Sequence, residues 1–382
     1  VLNNMLKHKD ITKEAYDTLT QKPIDLDYSV ENNYDGQALY YRDAVASYLR
    51  EWCNENDVDL YRDGLKIYAT IDTRMQQYAE EAVIKQMKII QKSFDNHWLN
   101  MNPWRDERGQ EIPHFIEDLA RKLPYYKYLN QKYNGNKDSI DYHLNAPHTV
   151  KLFDYEQGYI EKEMSTMDSI RYMEHFMHCG FIAMEPQTGH VKAWVGDLDF
   201  KTWKYDKVTA MRQPGSTFKL FVYTEAMNQG ITPCDTRQDS YFSMKVYDKR
   251  QKKEVLWAPT NADGHFSNSN VTLKQAFAMS INSVAVKLGQ EVGIDRIVKT
   301  AHDMGIKSKL DPTPALALGS SDVTLLELVN AYCTPVNGGM AHEPVLVSRI
   351  LDRDGNEIYN AKTEDKQTIS QKSAFFVQQL LQ

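Results

Sequence analysis

Long hydrophobic runs are missing from this chain of 382 residues. A bilayer-spanning helix needs about 20 consecutive apolar residues, and no uninterrupted apolar run approaches that length, so we expect no membrane-spanning segment. An excess of positive charge is missing too, because 45 Lys and Arg residues stand against 52 Asp and Glu residues. A nucleic-acid-binding protein uses a basic surface to displace counterions from phosphates, so the charge balance argues against a nucleic-acid partner.

Cysteine is scarce, and Cys53, Cys179, Cys234 and Cys333 are widely spaced with no C-x-x-C pair. Two disulfides could join these four residues in three ways, and the spacing favours none of the three. Buried free thiols are therefore the preferred interpretation over disulfides. The cysteine pattern does not fix the redox compartment.

Apolar residues make up 42% of the chain and aromatic residues 11%, which is enough for a sizeable core and excludes a disordered protein. The length predicts about two or three domains. We divide the chain into a polar helical tail with an extended linker near Lys22–Tyr28 (1–60), a strand and long helix (61–93), an accessory insertion of helices and loops (94–175) and a final domain (176–382). We expect both ends to be artificial, because no initiator Met opens the chain and an apolar helical pattern is still running at its last residue.

Strand patterns lie on both sides of a helix-rich stretch. Leu65–Asp72 alternates apolar and polar residues and runs into Thr73-Arg74-Met75-Gln76, a capping-box pattern that predicts a helix starting after Thr73. Residues 180–195 read as two strands around a turn, and a second such unit begins with the strand 344–351 and the turn 352–356. Because helical periodicity dominates about 215–335, we predict an α+β domain with an antiparallel sheet packed against helices.

The sharpest chemical feature is the segment Arg212–Lys219, in which Pro-Gly breaks the chain before an apolar helical pattern. Ser216 falls at the predicted helix N-terminus, where free N–H groups favour a developing negative charge. Lys219 is three residues further on and shares that helix face. A serine hydroxyl needs a base to take its proton, and a lysine among apolar groups can lose its charge and serve as that base. Taken alone, the motif fits a helix start with an exposed lysine equally well.

A second motif, Ser280-Ile281-Asn282, is the only S-x-N in the chain. It falls within an apolar helical pattern from Leu273 to Leu288, so we predict helix through it. A hydroxyl and a carboxamide in such a place need partners or a cavity. Ser280 could relay a proton and Asn282 could hold a substrate amide, or both could simply bridge helices; the presence of both motifs favours the functional interpretation.

The segment Glu174–Cys179 carries two histidines, His175 and His178, next to a thiol. It lacks the H-E-x-x-H pattern and an evident further ligand, so we expect no metal site there.

In their order and spacing the two motifs resemble the S-x-x-K and S-x-N elements of the penicillin-binding transpeptidases and serine β-lactamases. Leu65–Asp72, Glu185–Val191, Leu318–Glu327 and Asn337–Gly339 resemble segments of the bifunctional class A penicillin-binding proteins (type 1A) in particular. Val1–Leu6 is similar to the end of the glycosyltransferase domain that precedes the transpeptidase in that family.

The resemblance implies the penicillin-binding transpeptidase or serine β-lactamase-like fold and a peptidoglycan D,D-transpeptidase that β-lactams trap covalently. Ser216 would be the nucleophile, Lys219 the base and Ser280 a proton relay, while Asn282 would orient the substrate and Trp257 would border the groove. No metal or organic cofactor is implied. The partners would be peptidoglycan stem peptides, one a D-Ala-D-Ala donor and one an amine acceptor. The parent protein would be anchored in the cytoplasmic membrane with this region on the periplasmic side.

One family element is missing, because no K-T-G or K-S-G occurs in the chain and Lys362-Thr363-Glu364 lies in a polar turn. In the family this element should follow soon after Gln382, so we interpret its absence as truncation. It supplies an oxyanion-hole N–H, and losing one such donor typically costs about 10²–10³ in rate, so we expect these residues alone to acylate slowly or not at all. A D,D-carboxypeptidase or β-lactamase-type hydrolase, and a penicillin sensor or scaffold without turnover, remain as alternatives.

Overall fold

The computed structural model describes residues 2–22, 36–106, 108–248, 252–362 and 366–382. The chain divides into two compact units, Val1–Gly36 and Gln37–Gln382. Beyond their first residues, the predicted linker Lys22–Tyr28 and the polar turn Lys362–Glu364 lie outside the described part of the chain.

Helices carry most of the regular structure. The α-helices of the described residues are, in chain order, α1 (Leu2–Lys7), α2 (Lys13–Thr20), α3 (Leu39–Glu55), α4 (Thr73–His97), α5 (Phe115–Lys122), α6 (Pro124–Lys132), α7 (Lys137–Asn145), α8 (Thr166–Glu174), α9 (Lys219–Asn228), α10 (Leu273–Ala278), α11 (Asn282–Val292), α12 (Ile294–Asp303), α13 (Leu325–Val336) and α14 (Gln371–Leu381). Short 3₁₀ helices cover Gly215–Phe218 and Pro314–Leu318.

The strands are short and antiparallel. Within the same residues they are β1 (Lys66–Ala69), β2 (His148–Asp154), β3 (Gly158–Met164), β4 (Phe181–Met184), β5 (Val191–Val195), β6 (Thr236–Gln238), β7 (Met244–Asp248), β8 (Lys253–Trp257), β9 (Asn270–Thr272), β10 (Met340–Ala341), β11 (Val347–Leu351), β12 (Glu357–Asn360) and β13 (Lys366–Gln367). Both predicted hairpins are present, as β4–β5 and β11–β12.

Thr70 connects the two hairpins. β1 pairs with β11 and β11 with β12, in the order β1-β11-β12, while β4 and β5 pair separately. The Thr70 hydroxyl lies 2.9 Å from the carbonyl oxygen of Val191, the first residue of β5, and 2.7 Å from that of Val345. The Thr70 N–H donates to the Leu346 carbonyl at 2.9 Å. A strand that is far away in sequence is thereby held against both hairpins.

Helices pack against the β4–β5 hairpin, in agreement with the α+β prediction. The long helix α4 packs Ala79 and Val83 against Ala193 and Val195 of β5. On α13, Leu325, Leu326 and Val329 pack with a buried cluster that contains Ile182 of β4. Each contact removes apolar surface from water, which is the main favourable term in folding.

The start of α4 differs from the sequence-based expectation. Asp72, not Thr73, is the N-cap, and its carboxylate accepts from the N–H groups of Arg74 and Met75. Gln76 is buried instead of completing a capping box: its Oε1 accepts from the Trp194 N–H at 2.7 Å and its Nε2 donates to the Trp194 carbonyl at 2.9 Å. The glutamine thus satisfies a backbone pair of β5 that would otherwise be buried without partners.

The accessory region also contains more sheet than expected. Helices α5 to α8 surround a core that includes Trp104, Ile116, Leu129 and Ile140. Its prediction as helices and loops was incomplete, because β2 and β3 form a seven-pair antiparallel hairpin from His148↔Met164 to Asp154↔Gly158. Much of this hairpin is exposed, so its strands lack the strong apolar alternation that identifies half-buried strands in a sequence.

All four cysteines are free, and Cys53 and Cys333 are buried as expected, whereas Cys234 is exposed. Among the described residues no helix combines the length and the apolar character that crossing a membrane requires.

We predict that Gln76→Met lowers the free energy of unfolding by about 2–4 kcal/mol, because it strands the buried N–H and carbonyl of Trp194. Gln77 is the matched control, since it is exposed one residue away and its side chain donates to Glu81 at the surface; Gln77→Met should change stability by less than about 0.5 kcal/mol. Urea unfolding measures both, and equal effects would contradict this role for Gln76.

Candidate active site

Ser216 lies in the 3₁₀ helix Gly215–Phe218, which runs directly into α9. The prediction of a helix start at this serine is confirmed, with the first turn tighter than an α-helix. In 3₁₀ geometry side chains three residues apart eclipse one another, so Ser216 and Lys219 project on the same side. Ser216 is exposed, and its hydroxyl is therefore open to an incoming molecule.

Lys219 opens a helix that is buried on all sides. Residues 219–227 of α9 are all buried, and a helix with no polar face belongs in the centre of a core. α9 packs against α11, α12 and α14. Only 1% of the Lys219 surface is exposed, so the alternative of a lysine extending into solvent is wrong.

Three neutral oxygen atoms surround the Lys219 amine. Its Nζ donates to the Ser280 carbonyl at 2.7 Å, to Ser280 Oγ at 2.9 Å and to Asn282 Oδ1 at 2.7 Å. None of these partners carries a negative charge, so no counter-ion offsets the burial of the ammonium group. Desolvation therefore lowers the pKa of Lys219 from 10.5 to about 8.

A pKa of about 8 changes what the amine can do at neutral pH. About 10% of Lys219 is then uncharged at pH 7, against about 0.03% at the ordinary value. An uncharged amine has two N–H groups, which suit the Ser280 carbonyl and Asn282 Oδ1 because both can only accept. Its lone pair remains available for the proton of a nearby hydroxyl.

The backbone at Ser280 departs from the predicted helix. α10 ends at Ala278 and α11 begins at Asn282, so the expectation of continuous helix through the S-x-N motif is wrong. Ser280 adopts a left-handed conformation with φ 52°, which is uncommon for a residue with a side chain. The break turns both the carbonyl and the hydroxyl of Ser280 toward Lys219.

Asn282 is held from both ends of its carboxamide. Its Oδ1 accepts from Lys219, and its Nδ2 donates to the Thr260 carbonyl at 2.8 Å.

Trp257 lies three residues before Thr260, at the end of β8, where it is half-buried against the core that contains α9. Lys219, Ser280 and Asn282 are thus brought together directly, whereas Trp257 is connected to them through its own strand. Thr260 carries no sequence signal of this contact.

Two further residues that sequence reasoning missed constrain the turn that carries Ser216. Gly319 has φ 75°, and a Cβ added there would lie 2.1 Å from the Gly215 carbonyl oxygen and 2.6 Å from the Gly215 nitrogen. The phenol of Tyr332 donates to the Thr217 carbonyl at 2.8 Å. A close approach of two backbones and one long-range hydrogen bond therefore position the turn.

The two histidines considered for metal binding have unrelated partners. His175 packs edge-on against the Trp104 ring, while His178 Nδ1 lies 2.9 Å from a carboxylate oxygen of Asp197. Burial raises the pKa of the Cys179 thiol to about 11, which disfavours the thiolate that metals bind. In the part of the chain that the structure describes, no group of three His, Cys, Asp or Glu residues could hold a metal ion.

Comparison with known families shows what this arrangement belongs to. The family described as "Penicillin binding protein transpeptidase domain" matches residues 179–382, and "Penicillin-binding protein middle domain" matches residues 99–177. The chain belongs to the penicillin-binding protein transpeptidase family. The resemblance drawn from the sequence motifs is therefore confirmed.

Known members of the family match over unequal shares of their length. "Penicillin-binding protein 2D" of Bacillus subtilis (strain 168) is 38% identical over 51% of this chain and 28% of that protein. "Penicillin-binding protein 1A" of Aquifex aeolicus (strain VF5) is 30% identical over 93% of this chain and 47% of that protein. The chain thus spans about half the length of the curated relatives it matches, or less.

Comparison with solved structures shows that this chain has the fold of the penicillin-binding proteins. The crystal structure of penicillin-binding protein 1A from Haemophilus influenzae superposes with a TM-score of 0.63 over 98% of this chain and 61% of that one, at 22% identity. The prediction of a penicillin-binding transpeptidase fold, with an antiparallel sheet packed against helices, is confirmed.

We predict that Gly319→Ala destabilises the protein by at least about 2 kcal/mol, because the new Cβ displaces the Gly215 backbone. Gly355→Ala is the matched control: its φ is 90° but nothing lies near the added Cβ, so only backbone strain of about 1 kcal/mol is expected. Denaturant unfolding compares the two, and equal losses of stability would show that the close approach to Gly215 is unimportant.

Proposed function

We propose that this region is a peptidoglycan D,D-transpeptidase that acts through an acyl-enzyme on Ser216. The observation that carries the proposal is the buried Lys219 amine, which donates to Ser280 and Asn282 and has no carboxylate partner among the described residues. This burial lowers the pKa of Lys219 to about 8. An amine with this pKa is matched to general-base chemistry near neutral pH. Ser216, one turn earlier, is the exposed hydroxyl that such a base would activate.

In the first half-reaction Ser216 Oγ attacks the carbonyl carbon between the two terminal D-alanines of a donor stem peptide. Uncharged Lys219 takes the hydroxyl proton as the C–O bond forms. The start of the 3₁₀ helix would favour the negative charge that develops on the carbonyl oxygen. The C–N bond then breaks, and a proton passed from Lys219 through Ser280 neutralises the departing amine of D-alanine.

In the second half-reaction an amine from a neighbouring stem peptide attacks the Ser216 ester. Lys219 is again uncharged and receives the proton of the attacking amine, by way of Ser280. The new amide bond forms, the C–O bond breaks, and Ser216 recovers its proton. A β-lactam follows the first half-reaction only, because its ring amide imitates the scissile bond and its leaving group stays attached.

For the whole protein we propose the class A arrangement, in which a glycosyltransferase domain precedes this region and the parent is anchored in the cytoplasmic membrane with this region on the periplasmic side. The support is the match of 93% of the chain to only 47% of a penicillin-binding protein 1A. The proposed partners are donor and acceptor stem peptides and β-lactams, with no metal or organic cofactor.

We predict that fluorescent penicillin labels the full-length protein at Ser216. Ser216→Ala should abolish the adduct. Ser93→Ala is the control, since Ser93 is exposed on α4 and far from α9 in sequence; it should label like the unsubstituted protein. Mass spectrometry of the labelled peptide identifies the site.

The fate of the adduct separates the remaining possibilities. Release within seconds indicates a β-lactamase-type hydrolase, whereas a lasting adduct fits a transpeptidase, a carboxypeptidase or a sensor. A pentapeptide ending in D-Ala-D-Ala, supplied with an amine acceptor, divides these three: a new amide product supports the proposal, hydrolysis alone indicates a carboxypeptidase, and no turnover indicates a sensor. An adduct that persists in Ser216→Ala would refute the assigned nucleophile.

A further inference from the structure

Behind Asn282 lies a buried polar cluster that the proposed chemistry does not use. Asp239, Asn261 and Ser283 are 3%, 9% and 0% exposed, although all three are polar. Asp239 follows β6, and Asn261 follows β8 at an interval of four residues, so three separate segments meet here. Buried polar groups of this kind are costly unless each donor finds an acceptor.

Asn261 caps α11 from outside the helix. The N-cap residue of α11 is Ile281, whose side chain cannot accept a hydrogen bond. Asn261 Oδ1 instead accepts from the N–H groups of Asn282 and Ser283, both at 3.1 Å. Its Nδ2 donates to Asp239 Oδ1 at 2.9 Å and to the His265 carbonyl at 2.8 Å.

Asp239 completes the cluster as an acceptor. Its Oδ1 accepts from Ser283 Oγ at 2.6 Å, in addition to Asn261, and its Oδ2 accepts from the Ser267 N–H at 2.8 Å. Burial by itself would raise the pKa of Asp239, but these hydrogen bonds outweigh it and lower the pKa to about 2. The carboxylate is therefore ionised at any pH at which the protein would work.

We propose that Asn261 and Asp239 are positioning residues, which fix the head of α11 so that Asn282 meets both Lys219 and the substrate amide. The proposal rests on the function proposed above. The path is direct: Asp239 orients Asn261, Asn261 holds the backbone N–H of Asn282, and the Asn282 side chain contacts Lys219 Nζ at 2.7 Å. The other end of the Asn282 carboxamide is fixed by Thr260, the residue before Asn261.

The donor and acceptor pattern makes the proposal specific. Asn261 must accept on one side and donate on the other, and aspartate cannot donate. Asn261→Asp therefore places a carboxylate oxygen against Asp239 Oδ1 and the His265 carbonyl, where only acceptors meet. In the double variant Asp239→Asn, Asn261→Asp the donor moves to position 239, so the hydrogen bond between the two side chains is restored with the same total charge, while the His265 carbonyl still faces a carboxylate oxygen.

The test measures the second-order rate of acylation by fluorescent penicillin in the protein as its gene encodes it. Asn261→Asp should slow acylation on the order of 10²-fold, the loss that a displacement of about 1 Å can cause, and the exchanged double variant should regain part of that loss, because the bond between positions 239 and 261 returns while the bond to the His265 carbonyl does not. Thr300→Val is the control for stability alone, because it removes a buried hydroxyl donor to Glu225 elsewhere in the core. It should lower the melting temperature and leave acylation within about twofold.

The outcomes separate the positioning role of Asn261 and Asp239 from the proposed function. If Asn261→Asp acylates like the unsubstituted protein, or if the double variant folds but regains nothing, the positioning role is overturned while the proposed function stands. If Asn261→Asp does not fold, the double variant decides, and it should both fold and acylate. If the unsubstituted protein forms no adduct at Ser216, the proposed function and this proposal fail together.

Discussion

The desolvated amine of Lys219 is the constraint on which the site depends. A buried lysine without a carboxylate partner is held largely by neutral oxygens, and its charged form is disfavoured enough to bring the pKa to about 8. An acidic partner at the same place would stabilise the ammonium form and remove the base. The physical condition for the proposed chemistry is therefore that the amine contacts Ser280 and Asn282 and, within the part of the chain that the structure describes, no Asp or Glu.

The rest of the domain supplies that condition. α9 places the lysine within an apolar core, and the 3₁₀ turn before it leaves Ser216 at the surface. The left-handed residue Ser280 separates α10 from α11, so that polar atoms reach the amine through an otherwise apolar layer. Such a strained position persists only where its surroundings determine it, and the polar cluster of Asp239, Asn261 and Ser283 behind α11 is the part of the structure that could do so.

Sequence reasoning succeeded where structure follows from nearby residues. Pro-Gly before an apolar run predicted the helix start at Ser216, and the 3₁₀ helix Gly215–Phe218 begins there. It failed where a contact distant in the sequence decided the outcome. Gln76 fits a capping box but is used by Trp194, 118 residues away, and no local pattern places Asp239 beside Ser283. The break at Ser280 was equally hidden, because a positive φ has no signature in a residue other than glycine.

The most direct measurement is the titration of the Lys219 amine itself. Lysine labelled with ¹³C at Cε reports the charge of each amine by NMR, and the Lys219 signal is assigned by its loss in Lys219→Met. Since burial lowers the pKa, the signal should titrate near 8, and acylation of Ser216 should rise with pH through the same range as the uncharged amine accumulates. A Lys219 signal that titrates near 10.5, as an exposed lysine does, would contradict the base assignment.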